Sequence, residues 1–340
     1  MKRSTSIAFF TVLTCALLFA GCKKNEPNKV VDPESKAEFT FPLTGMKTSD
    51  EAAVESRPVA VVINNDPKAR PQTGLNEADI VYEVLTEGNI TRFLAIFQSE
   101  KPENIGPVRS ARPYFINLAK GYDAFFVAHG YSPEAKAMLE SGTIDHINGI
   151  SYDGSLFQRV SFRKAPHNSY ITYENIAKGA EQNNYTLDKA VEPLTFLEED
   201  DVNDIQGDEA ANVTVQYSNR YSVTYNYDLS ANEYTRFIGQ EQTVDYDTNE
   251  PLSVANILII EMNHQVLDDV GRRSVDISSG GDAILLQNGI ARHIQWANEN
   301  GRIVPKTIEG EVGFIPGRTW VHIVPTSPGL QQTVKLSETE

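Results

Sequence analysis

Unbroken apolar runs dominate the first half of the chain, and period-two alternation dominates the second. Val59–Ile63 is apolar throughout, the pattern of a strand covered on both faces. Asp79–Thr86 and Arg92–Phe97 read as two further strands, and Glu87-Gly88-Asn89 between them predicts a hairpin. Ala124–Ala128 is a fourth run, ending at His129-Gly130. Pro113–Lys120 predicts a short helix with proline in its first turn. Ser132-Pro133 opens a helix to about Ser141, with Ser132 as N-cap, and Tyr173–Asn183 is another. Residues 57–195 are therefore expected to form a layered α/β domain. Beyond residue 212, Val213–Tyr217 and Tyr221–Tyr227 alternate apolar and polar positions. Strands follow at Tyr234–Ile238, Ile257–Met262, Ala283–Leu286 and Thr319–Val324, with no strong helix. The fold class is α+β: the layered domain is followed by a mostly β domain over 212–328 and a polar tail over 329–340.

Two polar stretches interrupt this pattern. Residues 22–56 are rich in Lys, Glu, Asp, Asn, Ser, Thr and Pro, which predicts a flexible tether, with Phe39–Leu43 able to dock on the body. Glu198–Glu209 carries seven acids in twelve residues. It lacks the spacing and closing glutamate of an EF-hand, so residues 196–211 are expected to be a solvated acidic linker.

The N-terminus changes the picture by placing the protein. Lys2 and Arg3 precede an apolar run from Ile7 to Ala20, then Phe19-Ala-Gly-Cys22. A basic start, a short apolar core and small residues before a cleavage point form an export signal over residues 1–21. The run is too short for a hydrocarbon core that needs about 20 residues. Ala-Gly-Cys after it has the form of a lipobox, with Phe19 in place of the usual leucine. Cys22 would carry diacylglycerol, with Lys23 and Lys24 against the headgroups. The expected location is the outer face of the cytoplasmic membrane. Cys15 leaves with the signal, so the mature body has no free thiol, disulfide or thiolate metal site. The net charge of −16 becomes −18 without Lys2 and Arg3, which argues against nucleic acid as a partner.

Candidate chemistry gathers at strand ends and turns of the first domain, where layered α/β folds place ligands. Arg109 and Arg112 flank Ser110 in the turn-rich Ile105–Phe115. Two guanidinium groups so close need a carboxylate, an anion or open solvent. They are expected either to pair internally with Glu83 and Glu87 or to hold an anion. In the binding reading Arg70, Arg92, Arg109 and Arg112 meet the anion, while Asn64, Gln72, Ser110 and Asn168 add hydrogen bonds. The rival reading is a hydrolase of envelope glycan, with Glu83 or Glu87 as acid or base beside His129 or His167. A purely structural or assembly lipoprotein is the third. No H-E-x-x-H spacing, nucleophile elbow or glycine-rich phosphate loop is present, so neither metal nor cofactor is expected. The expected partners are the membrane, an envelope polymer such as a cell-wall fragment, and a protein docked on the second domain.

Several strings carry a resemblance. Asn64-Asn65, Ala69–Gly74, Glu77–Asp79, Glu87-Gly88, Thr91–Phe93, Ile105–Tyr114 and Ala165–Asn168 resemble the YerB-like lipoproteins. In the second half Asn256–Ile259, Gly281–Ala283, Trp296 and Pro316–Trp320 do the same. The likeness runs from about residue 57 to 326. It implies a two-domain lipoprotein of Gram-positive-type bacteria and supplies no activity.

Overall fold

The apolar run after Pro58 forms strand β1 (Val59–Asn64), and the two that follow form the hairpin of β2 (Ile80–Glu87) and β3 (Ile90–Phe97). Helix α1 (Pro113–Gly121) leads to β4 (Phe125–Ala128), helix α2 (Pro133–Glu140) to β5 (His146–Asn148), and helix α3 (Tyr173–Gln182) follows. Ser132 caps α2 through its side chain, as expected from Ser-Pro. The second half is mostly β: β6 (Asn212–Ser218), β7 (Tyr221–Asp228), β8 (Glu233–Ile238), β9 (Asn256–Met262), β10 (Gly281–Gln287), β11 (Ile290–Glu299), β12 (Arg302–Thr307), β13 (Thr319–Pro325) and β14 (Val334–Ser337). This computed structural model describes residues 38–337. The signal sequence and Cys22 lie outside the described residues.

The two halves share one twelve-stranded sheet. From Gly310–Glu311 its order runs β12, β11, β10, β9, β13, β2, β3, β1, β4, β5. β13 lies between β9 and β2 and is parallel to both, with Thr319 opposite Ile80 and Ile323 opposite Val84. Both faces of the sheet are covered, which explains the unbroken apolar runs. Val59, Val61 and Ile63 share a core with Ile176 of α3 and with Val213, Val223 and Tyr225 of the second sheet. Ala60, Val62, Leu94 and Ile96 face the other way, with Phe115 and Ile116 of α1 and Leu139 of α2. The second sheet has six strands, β8, β7, β6 and β14 among them.

Three polar stretches are more ordered than their composition implies. The tether expected over residues 22–56 is folded from residue 38 onward. Phe39–Thr40 pairs with Lys47–Thr48, Phe41 and Leu43 are buried, and the Pro42 and Thr44 carbonyls accept from Leu194 and Gly317. Two apolar anchors and these backbone bonds outweigh the polar composition. The acidic linker expected over 196–211 is likewise bound to the body. Leu197 donates to the Phe314 carbonyl, Asp208 and Glu209 pair with β11, and Ala210 is buried. Its acids remain mostly exposed while its backbone supplies the contacts. The polar tail expected from residue 329 instead forms a short helix, Leu330–Thr333, and then β14, which pairs with β6.

A buried carboxylate sits where the halves join. Glu83 lies in β2 opposite His322 of β13 and is fully buried. Its Oε2 accepts from Arg236 at 3.0 Å and from the Trp320 indole at 3.2 Å, and its Oε1 accepts from Thr91 at 2.9 Å and from Tyr221. The Arg236 guanidinium lies 4.7 Å from the Trp320 ring centroid. Burial would raise the carboxyl pKa, but Arg236, His322 and the Tyr221 and Thr91 hydrogen bonds more than offset it, so Glu83 stays ionised below its usual range. His322 is held between Tyr217 and Tyr225 at 2.9 and 2.8 Å, and burial pushes its pKa down to about 3.

Removing one member of this pair strands the other. Arg236→Leu is expected to cost about 3–5 kcal/mol in urea unfolding. The loss should be greater at pH 8 than at pH 5, because the orphaned Glu83 is relieved by taking a proton. Unchanged stability would show the pair to be dispensable. Acid sensitivity has a definite sign as well. His322 and His264 titrate near 3 and 4 in the fold against 6.5 for a free imidazole, so their stabilisation is lost as pH falls below about 6.5. Asp79, raised by burial to about 6, acts in the opposite sense. These three groups alone, two protons against one, contribute a rise of about 1.4 kcal/mol per pH unit between about pH 4 and 6. Unfolding midpoints over that range check it, and Asp79→Asn should steepen the slope.

Candidate anion-binding site

The expected site residues separate into three groups. The first belongs to the interior. β1 ends at Asn64, and the chain turns through a short 3-10 segment, Pro67–Ala69, that Asp66 caps. Asn65 is fully buried and fixes this turn. Its amide donates to Thr91 and to Tyr221, both at 2.7 Å, which ties it to the Glu83 cluster. Its carbonyl oxygen accepts from Arg70 at 2.9 Å and Gln72 at 3.1 Å. Arg70 also covers the Tyr221 ring at 4.8 Å, and Gln72 donates to the Asn64 carbonyl. These two side chains are thus used in holding the loop.

The second group centres on Glu87. One carboxylate oxygen accepts from Arg92 at 2.7 Å, and the other pairs with Arg112. Arg92 also donates to the Ser110 carbonyl at 3.0 Å, and Arg112 to the Ala111 carbonyl at 2.7 Å. The Ser110 hydroxyl donates to the His129 carbonyl. Arg112 therefore takes the internal partner that sequence reading allowed it, and Arg109 does not share its surroundings.

Arg109 is the exception. Its backbone donates to Val62 and accepts from His129, which inserts it between the ends of β1 and β4. Its half-buried side chain makes no hydrogen bond or ion pair among the described residues, and its Nε–H is buried without an acceptor. Burial, together with the nearby Arg92 and Arg159, lowers its pKa to about 10, with Asp66 acting the other way. It stays charged at neutral pH. Gly130 makes the close approach possible: its φ is +94°, and a Cβ there would meet the Ser110 hydroxyl at 2.7 Å.

The loop before and after residue 160 faces this arginine. Arg159 grips Asp153 through Nε and a terminal nitrogen, each at 3.0 Å, and donates to Asn168 at 3.2 Å. It also donates to His129 Nε2 at 2.9 Å, so the ring proton is on Nδ1, directed to Ser169 at 2.6 Å. Asn64 uses its carbonyl for the Asp66 amide and donates its NH2 to His167 Nδ1 at 2.9 Å. His167 then keeps Nε2–H as a donor. Burial first, then Arg159 for His129 and Arg109 for His167, lowers both pKa values, so both rings are neutral at pH 7.

This geometry bears on acid–base chemistry. Glu83 is enclosed, Glu87 is paired twice, and the lone pairs of His129 and His167 already accept hydrogen bonds. None of the four offers a free base in this state. Arg159 was the member that sequence reading left out of the site. Its signal was its place beside Arg163 and Pro-His-Asn in one loop.

The comparisons with known proteins agree with this fold. Residues 43–186 match the family model "Protein of unknown function (DUF3048) N-terminal domain", and residues 213–321 match the corresponding C-terminal domain. The chain is 47% identical over 319 residues to "Putative lipoprotein YerB" of Bacillus subtilis (strain 168), covering 92% of this chain and 94% of that protein. The crystal structure of YerB from Bacillus subtilis superposes with a TM-score of 0.81 at 48% identity, over 88% of this chain and 100% of that one. The chain belongs to the family of YerB-like lipoproteins built from paired DUF3048 domains.

Proposed function

We propose that this protein is a lipoprotein held to the outer face of the cytoplasmic membrane by diacylglycerol on Cys22, and that it binds an anionic envelope ligand at Arg109. The lipobox and the name of the Bacillus relative support the anchor. No helix of the described residues is long and apolar enough to cross a membrane. The observation that carries the binding reading is a half-buried guanidinium with no ion-pair partner among the described residues, beside Arg92 and Arg159, in a chain of net charge −16. An anion at that point relieves the repulsion. Arg109 provides the charge, with His167 Nε2–H and the Asn168 amide as neutral donors. Phosphate-bearing polymers and carboxylated cell-wall fragments have the matching chemistry.

Two measurements test this. Intact-mass analysis of the membrane fraction should find a diacylated Cys22 at the N-terminus, and Cys22→Ala should move the protein to the soluble fraction. Wild-type protein recovered from the membrane fraction without diacylglycerol on Cys22 would refute the anchor. Arg109→Gln should weaken binding of a poly(glycerol phosphate) at least tenfold, about 1.4 kcal/mol, with an unchanged melting temperature. Arg112→Gln should instead lower the melting temperature, because it removes one of the two arginines that hold the Glu87 carboxylate. Equal polymer affinity in wild type and Arg109→Gln would sink the binding reading.

A further inference from the structure

A second cluster of arginines lies across the junction of the two halves, apart from Arg109. A cavity of about 180 Å³ is lined by Arg112, Tyr114, Asn117 and Ser132 from the first half and by Leu267, Arg272 and Arg273 from the second, with Glu134 among its walls. It opens at the N-terminus of α1, where no side chain caps the helix. The second-half residues belong to a hairpin in which His264–Val266 pairs with Arg273–Val275.

The charges here do not balance. Glu87 is shared by Arg92 and Arg112, and Asp268 answers Arg272 at 3.3 Å. Glu134 is the remaining carboxylate of the lining. Four guanidinium groups, those of Arg92, Arg112, Arg272 and Arg273, thus meet three carboxylates. Arg273 has no ion pair among the described residues. Its one acceptor is the Gly88 carbonyl at 2.8 Å, and its Nε–H is buried without a partner. Arg112, with a side chain only 8% exposed, also keeps a buried Nε–H without an acceptor. Desolvating a guanidinium without a counter-charge is unfavourable, and a ligand that returns the charge offsets the cost.

We infer that this cavity is a phosphate-binding site, taking one phosphate monoester or diester group between Arg272, Arg273 and the start of α1. Guanidinium groups match phosphate oxygens in bidentate pairs, and the positive end of a nine-residue helix favours the same charge. The volume admits a phosphate and a short substituent. The three arginines lie among apolar walls that include Tyr114, Leu267 and Val275, so a substituent on the phosphate would meet apolar surface. Because residues from both halves line the cavity, an occupant bridges α1 and the hairpin. The inference does not depend on the Arg109 site.

Titration of the purified full chain with inorganic phosphate, read by calorimetry, tests it. Saturable binding in wild type should be weakened at least tenfold by Arg273→Gln and by Arg272→Gln. It should survive in Arg109→Gln. Arg272 pairs only with Asp268 on the surface hairpin, so its variant tests the site even if Arg273→Gln disturbs the fold. Absence of saturable phosphate binding in wild type, or affinity unchanged in both variants, overturns the inference. Binding lost in Arg109→Gln alone overturns it too and assigns the phosphate to the other site. A further arm separates sources. Cys22→Ala protein that binds phosphatidylglycerol vesicles, and no longer does so when Arg273→Gln is added, takes a lipid headgroup. If it binds free phosphate and ignores vesicles, the source is soluble. Both results support the site.

Discussion

One buried carboxylate sets the terms for much of this structure. Glu83 lies inside a strand whose two faces are both covered, where an isolated charge would be prohibitive. Most of its answer comes from the far half of the chain: Arg236 and Tyr221 from the second sheet, Trp320 from β13. β2 therefore cannot be satisfied by the first half alone. The same cluster reaches Asn65 through Thr91 and Tyr221, and Asn65 holds Arg70 and Gln72. The loop that carries Asp66 near Arg109 is thus fixed by contacts made only when both halves have joined. Fold and site are linked through a polar cluster rather than through apolar packing alone.

Several arginines are fixed by the carboxylate each reaches. Arg236 meets Glu83, while Arg92 and Arg112 meet Glu87. Arg159 meets Asp153. Each of these charges has a specific counter-charge, and in a low-dielectric setting such pairs are costly to break. Arg109 and Arg273 are among the arginines that form no ion pair among the described residues, and each has a buried Nε–H without an acceptor.

Local pattern in the sequence shows the elements well, and long-range partnership poorly. VAVVI, FLAIF and FFVA announce strands covered on both faces, and Ser-Pro marks the start of α2. A glutamate at position 83, amid Val81, Val84 and Leu85, is a visible anomaly whose partners are not visible. Arg236 and Trp320 are 153 and 237 residues away. Nor does composition show that Thr319–Pro325 inserts beside β2, because strand order is settled by non-local pairing. β11 was missed for a different reason. Arg292 and His293 fall side by side within it, so it shows neither an unbroken apolar run nor clean alternation. The polar segments at 38–56 and 196–211 misled for a third reason: their backbones make the contacts, and composition describes side chains.

The two neutral histidines narrow what the surroundings of Arg109 can recognise. Each has a lone pair engaged by a neighbouring donor, His129 by Arg159 and His167 by Asn64. Such a ring is poor at taking a proton from substrate or water, since the proton would have to displace an existing hydrogen bond. His167 remains a donor through Nε2–H, while the Nδ1–H of His129 is directed to Ser169. Arg109 is only a donor, and the Asn168 amide already gives one hydrogen bond to the Val160 carbonyl. A set of groups that mainly donate is complementary to a group that only accepts, as an ionised phosphate or carboxylate does. The same occupancy of lone pairs that weakens the case for hydrolysis therefore strengthens the case for holding an anion intact.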